Sequence, residues 1–185
     1  MLLRTTILCL VAMPLAAFSQ VHSLTLGIDV NSPYGLSEPW FTIRNALLRC
    51  DDLQTVAEQP DRKTATAQAT PKGGKLPDLA KLEKAIRESG GGATLRGVEA
   101  TIEGALVSAS GKSFLNVAGQ DLSLQPLTKL IQQERKKPKT PTPEEVNAYE
   151  RLLASQTKRV RVTGPLRMQP RPVLEVRIFE HSKTK

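Results

Sequence analysis

The sequence predicts an α+β chain of two units, a βαββαβ unit followed by a small five-stranded β-barrel. Three observations predict it. Apolar residues alternate with others at Leu24, Leu26, Ile28 and Val30, and again at Val98, Ala100, Ile102, Gly104 and Leu106, the period-two pattern of half-buried strands. Between those strands, Trp40, Ile43, Leu47 and Cys50, and then Leu79, Leu82, Ala85 and Ile86, recur at the spacings that mark one face of a helix. After residue 97 the strand pattern dominates, interrupted by a single strong helix start at Thr142.

The first strand runs into Asn31-Ser32-Pro33-Tyr34-Gly35, where proline and glycine break the ladder. The first helix places Cys50 on its buried stripe at the last turn, which predicts an inert thiol packing as a small hydrophobe. Leu53 and Val56 begin a second strand, Asp61-Arg62-Lys63 is a polar turn, and the alternating Thr and Ala of 64–70 form a third strand. Gly73-Gly74 reads as a hinge. Pro77 and Asp78 start the second helix, and Gly90 and Gly91 end it, because glycine accepts the left-handed C-terminal conformation. Residues 93–95 lead into a central hairpin with Ala109-Ser110-Gly111-Lys112 as its turn and 113–117 as its return.

A further strand covers 121–127, with a helical turn expected over 127–133 and a basic, proline-broken surface loop over 134–141. Thr142 then caps a helix. Pro143 takes its first position, Glu145 can return the capping hydrogen bond, and Val146, Tyr149, Leu152 and Leu153 give the buried face. Two last strands are expected: 159–163, bent by Gly164-Pro165, and 173–179. The second alternates Leu174, Val176 and Ile178 against Val173, Glu175, Arg177 and Phe179.

Residues 23–96 resemble the heavy-metal-associated domain of copper chaperones and P-type metal pumps, a ferredoxin-like split βαβ unit. LTLGIDV matches its first strand, IRNALLRCDDLQTV its first helix and second strand, KTATAQAT its third strand, and LPDLAKLEKAIRESGGGATL its second helix and last strand. The resemblance implies a soft-metal site in the first loop, built in that family on Met-x-Cys-x-x-Cys. Here Val30 stands for the methionine, and Ser32 and Gly35 stand for the cysteines, so the thiolates that hold Cu(I) are missing. No ligand carries over. Asn31, Ser32 and Cys50, with Asp29 beside them, are the metal candidates that remain. Residues 97–182 look like an OB-fold of small exported bacterial proteins, on GVEATIEGALVSASGKSFLNV and KRVRVTGPLRMQPRPVLEVRIFE. The rival architecture is a single domain in which the β-rich half extends the first sheet.

Residues 1–19 read as a signal peptide: Arg4 is the positive end, 7–17 the apolar run, and Ala17 and Ser19 the small residues before cleavage at Gln20. The run is too short to span a bilayer, so no integral membrane span is expected in the mature chain. The chain then divides into 20–96, 97–182 and a short tail, 183–185. A secreted or periplasmic protein follows. Losing the segment removes Cys9 and lowers the net charge of +8 by one, leaving Cys50 as the single cysteine and no internal disulfide.

No catalytic constellation stands out, and the expectation is a non-enzyme without a cofactor. His22 and His181 lie near the two ends of the mature chain and read as solvated; no G-x-S-x-G occurs; Asp51-Asp52 and Glu144-Glu145 have structural readings in a turn and a helix first turn. Arg159, Arg161, Arg167 and Arg177 are the candidate anion-binding residues, although arginine alternating with valine also describes a solvated outer face. Binding a nucleic acid would need outward aromatic platforms, which only Phe114 and Phe179 could supply. The reading is therefore an exported binding or scaffold protein with a protein or anionic partner. Residual metal handling is the alternative, and nucleic-acid or polyanion binding the second alternative.

Overall fold

Residues Thr94–Ala109 form one strand of 16 residues, β4, and both halves of the chain pair with it. The computed structural model describes residues 20–109, 112–117, 119–134, 136–155, 158–168 and 170–182. The expected signal peptide with Arg4 and Cys9, the turn residues Ser110 and Gly111, Arg135 and the tail 183–185 lie outside the described residues.

The first half contributes β1 (Gln20–Asp29), α1 (Trp40–Leu48), β2 (Leu53–Val56), β3 (Thr66–Pro71) and α2 (Leu79–Glu88). Its strands lie in the order β4-β1-β3-β2, every neighbour antiparallel. Cross-strand partners share a face, so Leu24 and Leu26 of β1 stand beside Ala69 and Ala67 of β3 and beside Ala100 and Val98 of β4. They belong to the same buried core as Ile43 and Leu47 of α1 and Leu82 and Ile86 of α2. The third strand starts at Thr66, two residues later than its pattern suggests, because Asp61 and Thr66 bond each other and make the preceding residues a closed turn.

The second half adds β5 (Lys112–Val117), β6 (Gln120–Pro126), a two-stranded ribbon of β7 (Gln133–Glu134) and β8 (Lys137–Pro138), the helices α3 (Pro143–Val146) and α4 (Ala148–Ala154), and the strands β9 (Arg159–Arg167), β10 (Val173–Val176) and β11 (Ile178–His181). β4, β5, β6, β10 and β9 pair in that order, and β9 pairs back onto β4, closing a five-stranded barrel; β10 runs parallel to β6. Val160, Val162 and Leu166 face inward with Leu115, Leu122, Leu174 and Val176. Through β4 the barrel core is continuous with the helix-covered core of the first sheet. The β-rich half therefore both closes a barrel and extends the first sheet, and β4 runs straight through the 96/97 boundary read from the sequence.

Four local expectations are corrected. No helical turn occupies 127–133. Leu127, Leu130 and Ile131 are buried in an extended passage, because their backbone has tertiary partners: the Glu175 carboxylate accepts from Thr128 N–H at 2.7 Å, and the Ile131 carbonyl accepts from Arg96 at 2.6 Å. Val146 and Leu153 are 48% and 40% exposed rather than buried. The helix breaks at Asn147, and the phase after it buries Ala148 and Leu152. The alternation over 173–179 fails at Arg177, whose N–H bonds Thr163 O between β10 and β11. As a result Leu174, Glu175 and Val176 are all buried, and Ile178 is 43% exposed. A Cβ at Gly164 would collide with the carbonyl oxygen of Glu175, so only glycine allows this close crossing. Finally, Cys50 lies two residues beyond α1 and is half-buried, its thiol donating to Ala46 O at 3.7 Å.

Candidate functional site

The polar face of the long strand organises the molecule around Arg96. Gly27 and Gly97 pair across β1 and β4 and leave a bare patch, on which Ile131 sits; a Cβ at Gly97 would come within 2.9 Å of its side chain. Beside that patch the Arg96 guanidinium donates to Ile131 O at 2.6 Å, to Thr64 O and Ala65 O at 3.1 Å each, and to the Asp29 carboxylate. Gln133 also donates to Asp29, at 3.1 Å. One side chain thus ties the end of β1, the 61–66 turn and the passage after β6 into a single arrangement, using the fixed fork of arginine.

The end of β1 with the 30–36 loop, the 61–65 turn and the β7–β8 ribbon line an open cleft of about 860 Å³. Its apolar surface comes from the half-buried Val30 and Ala65, with Ile28 and Leu36 buried behind them, and its rim carries the exposed Arg62, Lys63 and Lys136. The two described non-glycine residues with left-handed backbone, Ala65 at φ 49° and Lys136 at φ 67°, both line it. Such conformations cost on the order of 1 kcal/mol or more each and concentrate where function holds them.

The acids of the cleft are engaged. Asp29 is held by Arg96, and Glu134 lies 3.8 Å from Lys139. Asp61 accepts the backbone N–H groups of Lys63 at 2.8 Å and Thr64 at 3.4 Å; the first of these bonds holds its carboxyl below the usual range. Among the described residues, Arg62, Lys63 and Lys136 are in no ion pair.

The metal candidates do not converge. Asn31 is exposed before α1, and the Ser32 hydroxyl is spent on the Glu38 carboxylate. Cys50 lies past the other end of α1, in a separate groove of about 740 Å³ between α1 and α2. Burial pushes its thiol pKa up, and Asp52 adds to the rise. Among the described residues, no group of three or more His, Cys, Asp or Glu is placed to hold a metal ion.

The four barrel arginines all pair with buried glutamates, and Arg161 and Arg167 are at the same time exposed on the outer face. Arg159 and Arg161 reach Glu103 at 3.1 and 2.9 Å; Arg167 reaches Glu175 at 2.5 Å; Arg177 reaches Glu99 at 2.6 Å and Glu145 at 3.2 Å. His22 is likewise not simply solvated, standing 3.1 Å from Glu103 on β1, and the exposed His181 packs edge-on against Phe179. Phe114 and Phe179 are both half-buried, and the Arg151 guanidinium lies 5.8 Å from the Phe179 ring centre.

Sequence reading missed Arg96 and the cleft it braces. The Arg62-Lys63 turn and the basic loop holding Lys136 were each visible, but they are more than seventy residues apart in the chain and no periodicity joins them. None of the protein families, curated proteins or solved structures compared with this chain matches it significantly.

Proposed function

We propose that this chain is an exported, non-enzymatic binding protein whose ligand site is the cleft between the 28–36 segment, the 61–65 turn and the 133–136 ribbon, which Arg96 braces from behind. The observation that carries this reading is the cleft itself. Its volume lies within the range of roughly 300–1,000 Å³ typical of small-molecule sites, and such sites favour junctions between structural units. Here the junction is between the first sheet and the passage leaving the barrel. Two strained backbone positions on its wall support the same reading.

The strand order β4-β1-β3-β2, with α1 and α2 as crossovers, supports a ferredoxin-like first unit. The closed barrel, with helices between its third and fourth strands, supports an OB-like second unit. The cleft takes in Val30, Ser32 and Gly35, the positions that stand for the metal motif of the heavy-metal-associated family. On this reading that end of the unit still binds, but without thiolates and for a different ligand. The internal neutralisation of Arg159, Arg161, Arg167 and Arg177 favours the cleft over the barrel face as the place for an anion.

The test is a fragment screen by amide NMR on residues 20–185. Hits are expected to shift the amides of 28–36, 61–66 and 133–136 together. Hits that gather on the barrel face or in the α1–α2 groove, or the absence of any hit at the cleft, would overturn the reading.

A further inference from the structure

Resting on the cleft as the ligand site, we infer that its ligand is a small molecule with an apolar body and an oxyanion head, a carboxylate or phosphate, held at the rim by Lys63, Arg62 and Lys136. Three observations carry this. The accessible apolar part of the inner wall is the half-buried Val30 and Ala65, backed by the buried Ile28 and Leu36 of the core. A purely ionic ligand would leave that wall against water, whereas an apolar body buries it.

The second observation is the charge. Asp29, Asp61 and Glu134 already have partners in Arg96, the turn amides and Lys139. Asp61 keeps its charge and interacts with Lys63, but among the described residues none of the three rim cations is in an ion pair, so three cations face one carboxylate that no cation pairs closely and the excess charge at the opening is positive. A small anion is the complement that adds charge-assisted hydrogen bonds there without displacing an internal pair.

The third is the position of Lys136. It occupies the left-handed position of the tight turn between β7 and β8, where glycine or asparagine would sit with less strain. Lysine there brings to the rim a cation that the turn itself does not require. The opposite rim is built in the same way. Asp61 folds the 61–66 turn by taking the Lys63 and Thr64 amides, which leaves the side chains of Arg62 and Lys63 exposed beside the opening.

The test titrates residues 20–185 with octanoate, octyl phosphate, inorganic phosphate and octyl glucoside, read by amide NMR. Both octyl anions are expected to shift the cleft amides, at least about tenfold more tightly than inorganic phosphate or the neutral glucoside. The double variant Lys63→Gln/Lys136→Gln is expected to weaken octyl phosphate by about tenfold or more. Its amide dispersion should be unchanged, because neither side chain is in an ion pair and the 61–66 turn is held by backbone amides of Lys63 and Thr64 rather than by the Lys63 side chain. Octyl glucoside binding the cleft as tightly as the octyl anions, inorganic phosphate matching octyl phosphate, or no loss in a folded double variant would each overturn this ligand class while leaving the cleft as a binding site. No shift at the cleft from any probe or fragment overturns both the ligand class and the site.

Discussion

At the residue scale, the buried glutamates show how neighbours decide what a carboxyl does. Glu103 and Glu99 sit four residues apart on β4, both nearly inaccessible. Glu103 is held down to about 2, first by the Ser182 hydroxyl and then by Arg161, His22 and Arg159, against the opposing effect of burial. Glu99 has Arg177 and Gln132, and its burial outweighs them and pushes its carboxyl up. The two therefore act on stability with opposite sign. Glu103 stabilises the fold fully above the unfolded carboxyl value of about 4.3, and that contribution is lost as pH falls toward about 2. Glu99 favours the fold at low pH, an advantage lost as pH rises from the unfolded value through its raised folded one. The expected outcome for Glu103→Gln is a loss on the order of 2–3 kcal/mol at pH 7. A much flatter acid limb in urea unfolding measured between pH 5 and 2 should accompany it. An acid limb as steep as that of the unsubstituted chain would place the acid sensitivity on other carboxylates. None of this was legible in the sequence, where Glu99 and Glu103 read as the solvent side of an alternating strand. That side is covered only because β9, the chain around Arg177 and Ser182, and the passage after β6 fold over it.

At the element scale, β4 is the shared part. Ile102 is fully buried and pairs with Val21 on one edge and Val162 on the other. Ile102→Ala is expected to cost about 2–5 kcal/mol, as truncations of buried aliphatic side chains do. Because one strand belongs to both the first sheet and the barrel, amide exchange should accelerate by a similar factor in β1 and in β9. Acceleration confined to one of them would show that the halves open separately. Elements with strong local signals were readable. The Thr142 capping box forms as expected, with Glu145 N–H donating to Thr142 Oγ1 at 3.3 Å and Thr142 N–H to Glu145 Oε2 at 2.9 Å. So do the Asp78 cap and the three left-handed glycines that end α2. Elements with long-range partners were not readable. The passage 127–132 has the apolar spacing of a helical turn, yet Glu175 and Arg96 claim its backbone.

At the scale of the whole molecule, the positive balance does not rest on the barrel arginines. Among the described residues five ion pairs fix the four barrel arginines, so those cations are committed to partners, while the excess of basic over acidic residues is carried elsewhere on the surface. Among the described residues no helix is long and apolar enough to cross a membrane. The expected cleavage before Gln20 falls where β1 begins, so it would leave every described strand pairing in place, including that of Gln20 with Glu103. N-terminal sequencing of the protein recovered outside the cytoplasm is expected to begin at Gln20. A chain retained inside with Met1 intact would count against export.

The sequence by itself determined the α+β class, the order of the main strands and helices, and the capped helix starts at Asp78 and Thr142. These depend on period, caps and glycine, which act within a few residues of themselves. Tertiary structure alone decided that one strand serves both halves, that the barrel arginines are spent on buried glutamates, and that two basic turns meet over an apolar wall. The physical reason is the same in each case. A charge, or a strand edge, has the same local pattern whether it meets water or a partner, and the partners of Arg96, Glu99 and Glu103 lie as many as 81 residues away in the chain.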